Sequence, residues 1–211
     1  MDKYLKPRMT ILDIGCGVGT VDIYLASRGY KVMGIDISTN AISIARKNAL
    51  NLGVSGNVKF KTINFNNMSI KGMFDVVICS EVLEHLKDDK STVDKIRKHL
   101  KSGGIVIASS PSTNAPLYKI GMLKKFDSEV GHLRRYSKKN FHDLFKNFGL
   151  QIIESISTEG ILRNFLFTNS FGEFMLRILN KWPFSEIVTF VDNLLIPIFG
   201  ESNMYIVAKK K

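Results

Sequence analysis

Cysteine is scarce in this 211-residue chain. The two present, Cys16 and Cys79, stand in a glycine-rich turn and at the end of an apolar run. Neither position suits a disulfide framework or a cysteine metal site, so a reducing compartment is expected. Long apolar runs are missing too: none approaches the roughly 18 residues of a membrane-crossing helix. The opening MDKYLKPRMT lacks the apolar core of a secretory leader. The expectation is a cytoplasmic protein that does not span a bilayer. Acidic residues are in deficit, with 19 Asp and Glu against 30 Lys and Arg and a net charge of +11. That balance suits an anionic partner (nucleic acid, a membrane surface or an acidic substrate) or serves only solubility. Internal repeats and low-complexity linkers are absent, and the length suits one domain with a substantial core.

What is present is a regular rhythm of strand-like and helix-like segments. Thr10–Ile14 is a short apolar run before a glycine turn, and Thr20–Arg28 a helix closed by Gly29. Lys31–Ile35 is a second strand, Thr39–Leu52 a second helix stopped by Gly53, and Val58–Ile63 a third strand. Phe74–Cys79 is continuously apolar, as a central parallel strand should be. A helix over Ser91–Leu100 ends at Gly103-Gly104, before a fifth strand at Ile105–Ser109. The alternation predicts a doubly wound α/β sheet with right-handed crossovers. Beyond Pro111, residues 112–136 form a charged loop with one short helix, and Ser137 caps an amphipathic helix to Phe148. Strands follow at Leu150–Ser157 and Met204–Ala208, with an apolar helical region, Ile161–Phe199, between them.

The turn Asp13-Ile14-Gly15-Cys16-Gly17-Val18-Gly19-Thr20 joins the first strand to its helix, near the switch point where such sheets bind ligands. Glycines leave no Cβ in a ligand's way, and the first amides of the next helix are unpaired. A dinucleotide fingerprint would read G-x-G-x-x-G, but here the spacing is G-x-G-x-G, with Thr20 at the third glycine's place. Asp13 would repel a pyrophosphate but suit a cationic ligand. Asp36, closing the second strand, is placed for the two hydroxyls of a ribose, a charged hydrogen bond of roughly 1.5–3 kcal/mol.

ILDIGCGVGT followed by VMGIDIS resembles the first motif and the acidic second-strand position of class I S-adenosylmethionine-dependent methyltransferases, over about residues 10–157. The resemblance implies a seven-stranded, mostly parallel Rossmann-like sheet whose last two strands form an antiparallel pair. It implies S-adenosylmethionine as cofactor, with S-adenosylhomocysteine as product. Asp13, Gly15, Gly17 and Gly19, with Cys16 and Thr20, would surround the methionine end, and Asp36 would bind the ribose. Ile37 would flank the adenine. Asn64 stands where an aspartate commonly meets the adenine amine, beside Phe65, and Ser80 completes the set. The single domain divides into a cofactor half at 10–110, a substrate-side loop, helix and strand at 111–157, an insertion at 158–202 and the last strand at 203–209.

After the fourth strand comes Ser80-Glu81-Val82-Leu83-Glu84-His85-Leu86, without the proline pair of the DNA amine methyltransferases. EVLEHL resembles the ubiquinone-biosynthesis O-methyltransferase group and its small-molecule relatives. Were this segment helical, Glu81, Glu84 and His85 would share one face beside the transferring methyl. A hydroxyl acceptor must lose a proton, to a base or with help from a divalent metal. The candidate bases are His85 and His132, the latter in GHLRRYS, which resembles a loop covering the substrate side; Glu81 is the third candidate catalytic residue. The quinone-pathway likeness also suggests Glu81, Glu84 and His85 as ligands of a divalent metal, but the base is the preferred reading and no metal ligands are assigned.

The expected function is methyl transfer to oxygen of a small-molecule or lipid-linked acceptor. A non-catalytic cofactor-binding protein is the alternative. An RNA methyltransferase is another, supported by net charge alone. The insertion departs from the family pattern: it could cover the substrate, form a dimer interface, or touch a membrane through residues 161–199, where Arg and Lys flank apolar side chains.

Overall fold

A computed structural model of the chain describes residues 2–64, 70–166, 172, 174 and 184–211. The expected doubly wound α/β sheet is present. Seven strands, β1 (Thr10–Ile14), β2 (Lys31–Asp36), β3 (Val58–Thr62), β4 (Phe74–Ser80), β5 (Leu100–Pro111), β6 (Leu150–Thr158) and β7 (Asn203–Lys210), lie in the order β3-β2-β1-β4-β5-β7-β6. The first five pair in parallel, while β7 runs antiparallel to both β5 and β6.

Strand alternation sorts the core into two layers. Ile11, Val76 and Ile78 face α1 (Thr20–Ser27) and α2 (Thr39–Asn51). Leu12, Ile14 and Val77 face α3 (Asp89–His99) and α6 (Lys138–Lys146), where Val93, Ile96, Phe141 and Phe145 are fully buried. Strands buried on both faces read as apolar runs, which is why TILDI and FDVVIC look as they do. Ser38 accepts from the Ala41 amide and Ser137 from the Asn140 amide, capping α2 and α6.

Three local expectations change. The third helix ends at His99, and β5 starts at Leu100, because Lys101–Gly104 form a bulge opposite Phe74–Val76 instead of a helix stop. The 112–136 segment holds two short helices, α4 (Pro116–Lys119) and α5 (Lys124–Val130). The EVLEHL segment is no helix: only Leu83–His85 form a 3-10 turn, and Glu81 has a left-handed backbone with φ of 53°. In the insertion, α7 (Ile161–Leu166) and α8 (Phe184–Phe199) are described; most of 167–183 lies outside the described residues.

Phe141 packs edge-on to Phe145 at 5.4 Å between α6 and the sheet. Phe141→Ala should cost about 3–5 kcal/mol in urea unfolding, with an unchanged m-value.

Candidate cofactor and acceptor site

The glycine turn is pinned at the carboxyl end of β2. The Gly15 and Cys16 amides both donate to the Ile35 carbonyl, at 2.8 and 3.0 Å. The Gly17 amide donates to one Asp36 carboxylate oxygen at 2.9 Å, and the Ser38 amide to the other at 2.8 Å. Each oxygen keeps a lone pair free for a ligand diol. Gly15 has φ of 73°, and a Cβ there would stand 2.4 Å from Val82 Cγ2, so only glycine fits between the turn and the segment after β4.

A cavity of about 520 Å³ opens at these strand ends, lined by Gly15, Asp36, Ile37, Asn64, Glu81 and His85 among others. Six residues expected at the site therefore meet in one place. Gly17 and Gly19 shape the turn around the start of α1, both left-handed, with φ of 53° and 78°. Ser80 ends β4 beside Ser109. Cys16 is half-buried, and burial, with Asp22 next, keeps its thiol protonated well above the usual range. Thr20 lines a separate hollow between α1 and α2 with Tyr24 and Leu52. Phe65 lies outside the described residues.

Asp13 is not on the cavity wall. Alternation turns it to the α1 side of the sheet, where it is 5% exposed against Asp22, which is fully buried. Neither Asp22 oxygen has an N–H or hydroxyl donor among the described residues. The Asp13 carboxyl is the partner, and it can donate only when protonated. Burial, then Asp22, then Asp36 push Asp13 well above the ordinary carboxylate range, and burial raises Asp22 to about 6. The raised Asp13 carboxyl holds a proton against Asp22, which removes one of the pair's two charges, and Asp36 is the carboxylate on the cavity wall. Asp22 went unnoticed in the sequence because it reads as an ordinary first-turn helix acid. Its facing partner on β1 was the available signal.

Across the cavity, the acidic and imidazole groups separate into two sets. Glu81 Oε1 accepts from Ser109 Oγ at 2.7 Å and Asn203 Nδ2 at 3.1 Å, so this carboxylate is held toward β5 and β7. Glu84 is fully buried; Ser110 donates to its Oε2, but Oε1 has no hydrogen-bond partner among the described residues. Burial, then Glu81, push its carboxyl up to about 8. His85 Nδ1 bonds the Gly131 carbonyl at 3.1 Å, and His132 Nδ1 bonds Asp127 Oδ1 at 3.0 Å. Both partners only accept, so each ring carries its proton on Nδ1 and leaves Nε2 with a lone pair.

The rings stand 4.9 Å apart, and Glu84, His85 and His132 can bring donor atoms within 4.8 Å of one another. The metal set suggested from the sequence is thus altered, with His132 in place of Glu81. Asp127 was missed in the sequence. Arg135 binds it with Nε at 2.9 Å and Nη2 at 2.6 Å; against the opposing effect of burial, this pairing and His132 hold its carboxyl below the usual range. Burial is also the main force keeping His132 below the ordinary imidazole value, hence neutral at pH 7. Arg134 ties the same loop down through Asp89 at 2.8 Å and the Lys87 carbonyl.

The buried pair makes stability depend on pH with a definite sign. Asp22 titrates near 6 in the fold against an ordinary 3.8, so the native chain keeps a proton that the unfolded chain has released. Stability from this group is greatest below about pH 4 and falls as pH rises through 6. Asp22→Asn supplies a donor at every pH. It should flatten the fall in Tm between about pH 4 and 6 and raise Tm at pH 8 by about 2–4 °C, read by calorimetry.

The chain matches the methyltransferase domain family over residues 5–156. It is 34% identical over 113 residues to a ubiquinone biosynthesis O-methyltransferase from Pectobacterium carotovorum, covering 54% of this chain and 47% of that one. The chain therefore spans about half the length of this curated relative. Its fold is shared with an S-adenosylmethionine-dependent methyltransferase from Methanosarcina mazei, with a TM-score of 0.68 and 22% identity over 99% of this chain and 95% of that one. It is also shared with the magnesium protoporphyrin IX methyltransferase of Synechocystis PCC 6803, solved with bound S-adenosylmethionine. There the TM-score is 0.61, at 18% identity over 97% and 71% of the two chains. With the seven-stranded sheet, the pinned glycine turn and the Asp36 carboxylate in place, the chain belongs to the class I S-adenosylmethionine-dependent methyltransferase family.

Proposed function

We propose that the protein transfers a methyl group from S-adenosylmethionine to an oxygen of a small-molecule or lipid-linked acceptor. The observation that carries this reading is the Asp127–His132 pair, whose ring stands 4.9 Å from that of His85 on the wall of the cavity that Asp36 also lines. The name of the Pectobacterium relative, an O-methyltransferase, supports oxygen as the nucleophile.

The residues fit the cofactor. Asp36 offers one lone pair per oxygen to the ribose diol, and Ile37 and Asn64 flank the adenine position. Gly15 keeps the turn against Val82, and the left-handed Gly17 beside Asp36 has open space where a Cβ would stand. When bound, S-adenosylmethionine would supply an electrophilic methyl on a sulfonium, with S-adenosylhomocysteine as the thioether leaving group. His132 takes the hydroxyl proton on Nε2 as the new C–O bond forms, while Asp127 holds the ring's tautomer and stabilises its charge. Holding the acceptor oxygen and the methyl in line can contribute on the order of 7–11 kcal/mol.

A second reading rests on the orphaned Glu84 Oε1. Glu84, His85 and His132 fit a divalent ion, which would lower the pKa of an acceptor hydroxyl.

Titration calorimetry should show S-adenosylmethionine binding, weakened at least about tenfold in Asp36→Ala. Release of S-adenosylhomocysteine should be measured across phenolic and polyprenyl-tailed acceptors. His132→Ala should lower kcat about 10²–10⁴-fold with cofactor affinity kept. Activity that survives EDTA supports the base; activity lost to EDTA and restored by a divalent ion supports the metal. Cofactor binding without product release on any acceptor would favour a non-catalytic protein. Turnover on RNA alone would favour the RNA reading.

A further inference from the structure

The loop that carries His132 runs from Gly131 to Tyr136, and its only strand-like pairing is an isolated bridge between Ser112 and Tyr136. Its backbone groups must therefore be held from elsewhere. Several of its bonds go to the turn after β4. The Leu133 amide donates to the Glu84 carbonyl at 2.9 Å, and His85 Nδ1 donates to the Gly131 carbonyl at 3.1 Å. Arg134 Nη2 donates to the Lys87 carbonyl at 3.0 Å, and Tyr136 Oη lies 3.3 Å from the Leu83 carbonyl. Loop and turn are laced together over residues 83–87, and the His85 and His132 rings meet beside the lacing, 4.9 Å apart.

One carboxylate oxygen secures this lacing from behind. Asp89 Oδ2 accepts from Tyr136 Oη at 2.6 Å and from Arg134 Nη1 at 2.8 Å. Both bonds have an ionised partner, which makes them the shorter and stronger kind. Little water reaches them, since Asp89 is 8% and Tyr136 6% exposed. Asp89 is itself fixed in place. It is the first residue of α3, whose Thr92, Val93 and Ile96 are buried and whose cap, Asp88, accepts the Ser91 amide. A rigid helix thus grips the loop at residues 134 and 136, just beyond His132. Arg135 points the other way, to Asp127, as successive side chains of an extended segment do. Asp89 lies on the wall of a separate hollow between α3 and α6, with Leu144 and Phe148, so any effect it has on the reaction passes through the loop.

We propose that Asp89 is a positioning residue for methyl transfer: by gathering Arg134 and Tyr136 on one oxygen, it sets the loop against the turn and fixes where His85 and His132 stand. This deepens the function proposed above and rests on it. The size of the effect follows from geometry, because a displacement of about 1 Å at a reacting group can cost about a hundredfold in rate.

The test compares Asp89→Ala, Asp89→Asn and Tyr136→Phe in the full chain, by kinetics at saturating S-adenosylmethionine and by nitrogen NMR of the imidazoles. Asp89→Ala should lower kcat about 10–100-fold with the acceptor KM within about twofold, the pattern of an interaction that counts only in the transition state. Asp89→Asn keeps an oxygen that can accept from the phenol and should recover most of the loss. Tyr136→Phe should lower kcat about threefold to tenfold. Cofactor affinity within about twofold of the parent's shows an intact fold. At about pH 8, above the ordinary imidazole range, the parent's His85 should carry its proton on Nδ1, and Asp89→Ala should lose that single tautomer as the bond to Gly131 loosens. An unchanged His85 spectrum in Asp89→Ala overturns the proposal, as does a kcat within about twofold of the parent's. Tyr136→Phe, which deletes one oxygen, carries the same two readouts should Asp89→Ala fail to fold. A parent without turnover on any acceptor defeats the function proposed above instead, and the imidazole spectrum then decides the positioning role alone.

Discussion

Everything at the site depends on how the turn after β1 is held to the end of β2. The Ile35 carbonyl takes two successive amides of the turn, and the Asp36 carboxylate takes a third. The same carboxylate therefore anchors the turn and keeps a lone pair on each oxygen open to a ligand. This double duty explains why the turn needs glycine. The backbone must come close enough to Asp36 to be bound by it, and Val82 presses from the other side at a distance that no side chain at Gly15 could tolerate. The cavity opens around that fixed point, at the carboxyl ends of β1, β2 and β4.

Acid is concentrated beneath and around the turn, with Asp13, Asp22 and Asp36 within mutual influence. Three free carboxylates packed together would repel one another at great cost. The fold resolves this by burying two of them as a proton-sharing pair under α1 and leaving the third at the cavity, hydrogen-bonded by backbone amides. Gly34 on β2 helps to make room, since a Cβ there would lie 2.6 Å from Asp22 Oδ1. Beside His85 of the cavity wall, Asp127, Arg135 and His132 form a hydrogen-bonded chain that keeps one imidazole neutral and oriented.

The strand–helix alternation, the glycine spacing and Asp36 were legible in the sequence because each obeys a local rule: period, turn chemistry and position at a strand's end. Gly15 and Asp36 line the cavity as those rules suggest, and Ile37 and Asn64 as the family resemblance implies. The state of Asp13 was not legible, since it depends on Asp22 facing it from another element. Nor was the backbone at Glu81. A helical spacing of Glu81, Glu84 and His85 was plausible on paper, yet the chain turns left-handed at Glu81 and directs that carboxylate to Ser109 and Asn203. Asp127 escaped notice because its role comes from a loop folding back on itself over five residues to reach His132. In the insertion, composition announced apolar helices, but only the structure shows that α8 turns its polar stripe inward around Asp192.

The central claim is that Asp36 and His85, with the Asp127–His132 pair beside His85, border a single cavity that takes a sulfonium nucleoside. A crystal structure with S-adenosylhomocysteine tests it most directly. The account predicts both ribose hydroxyls on the two Asp36 oxygens, with the sulfur opening toward His132 Nε2. A nucleoside bound elsewhere, or a sulfur facing away from His132, would contradict it.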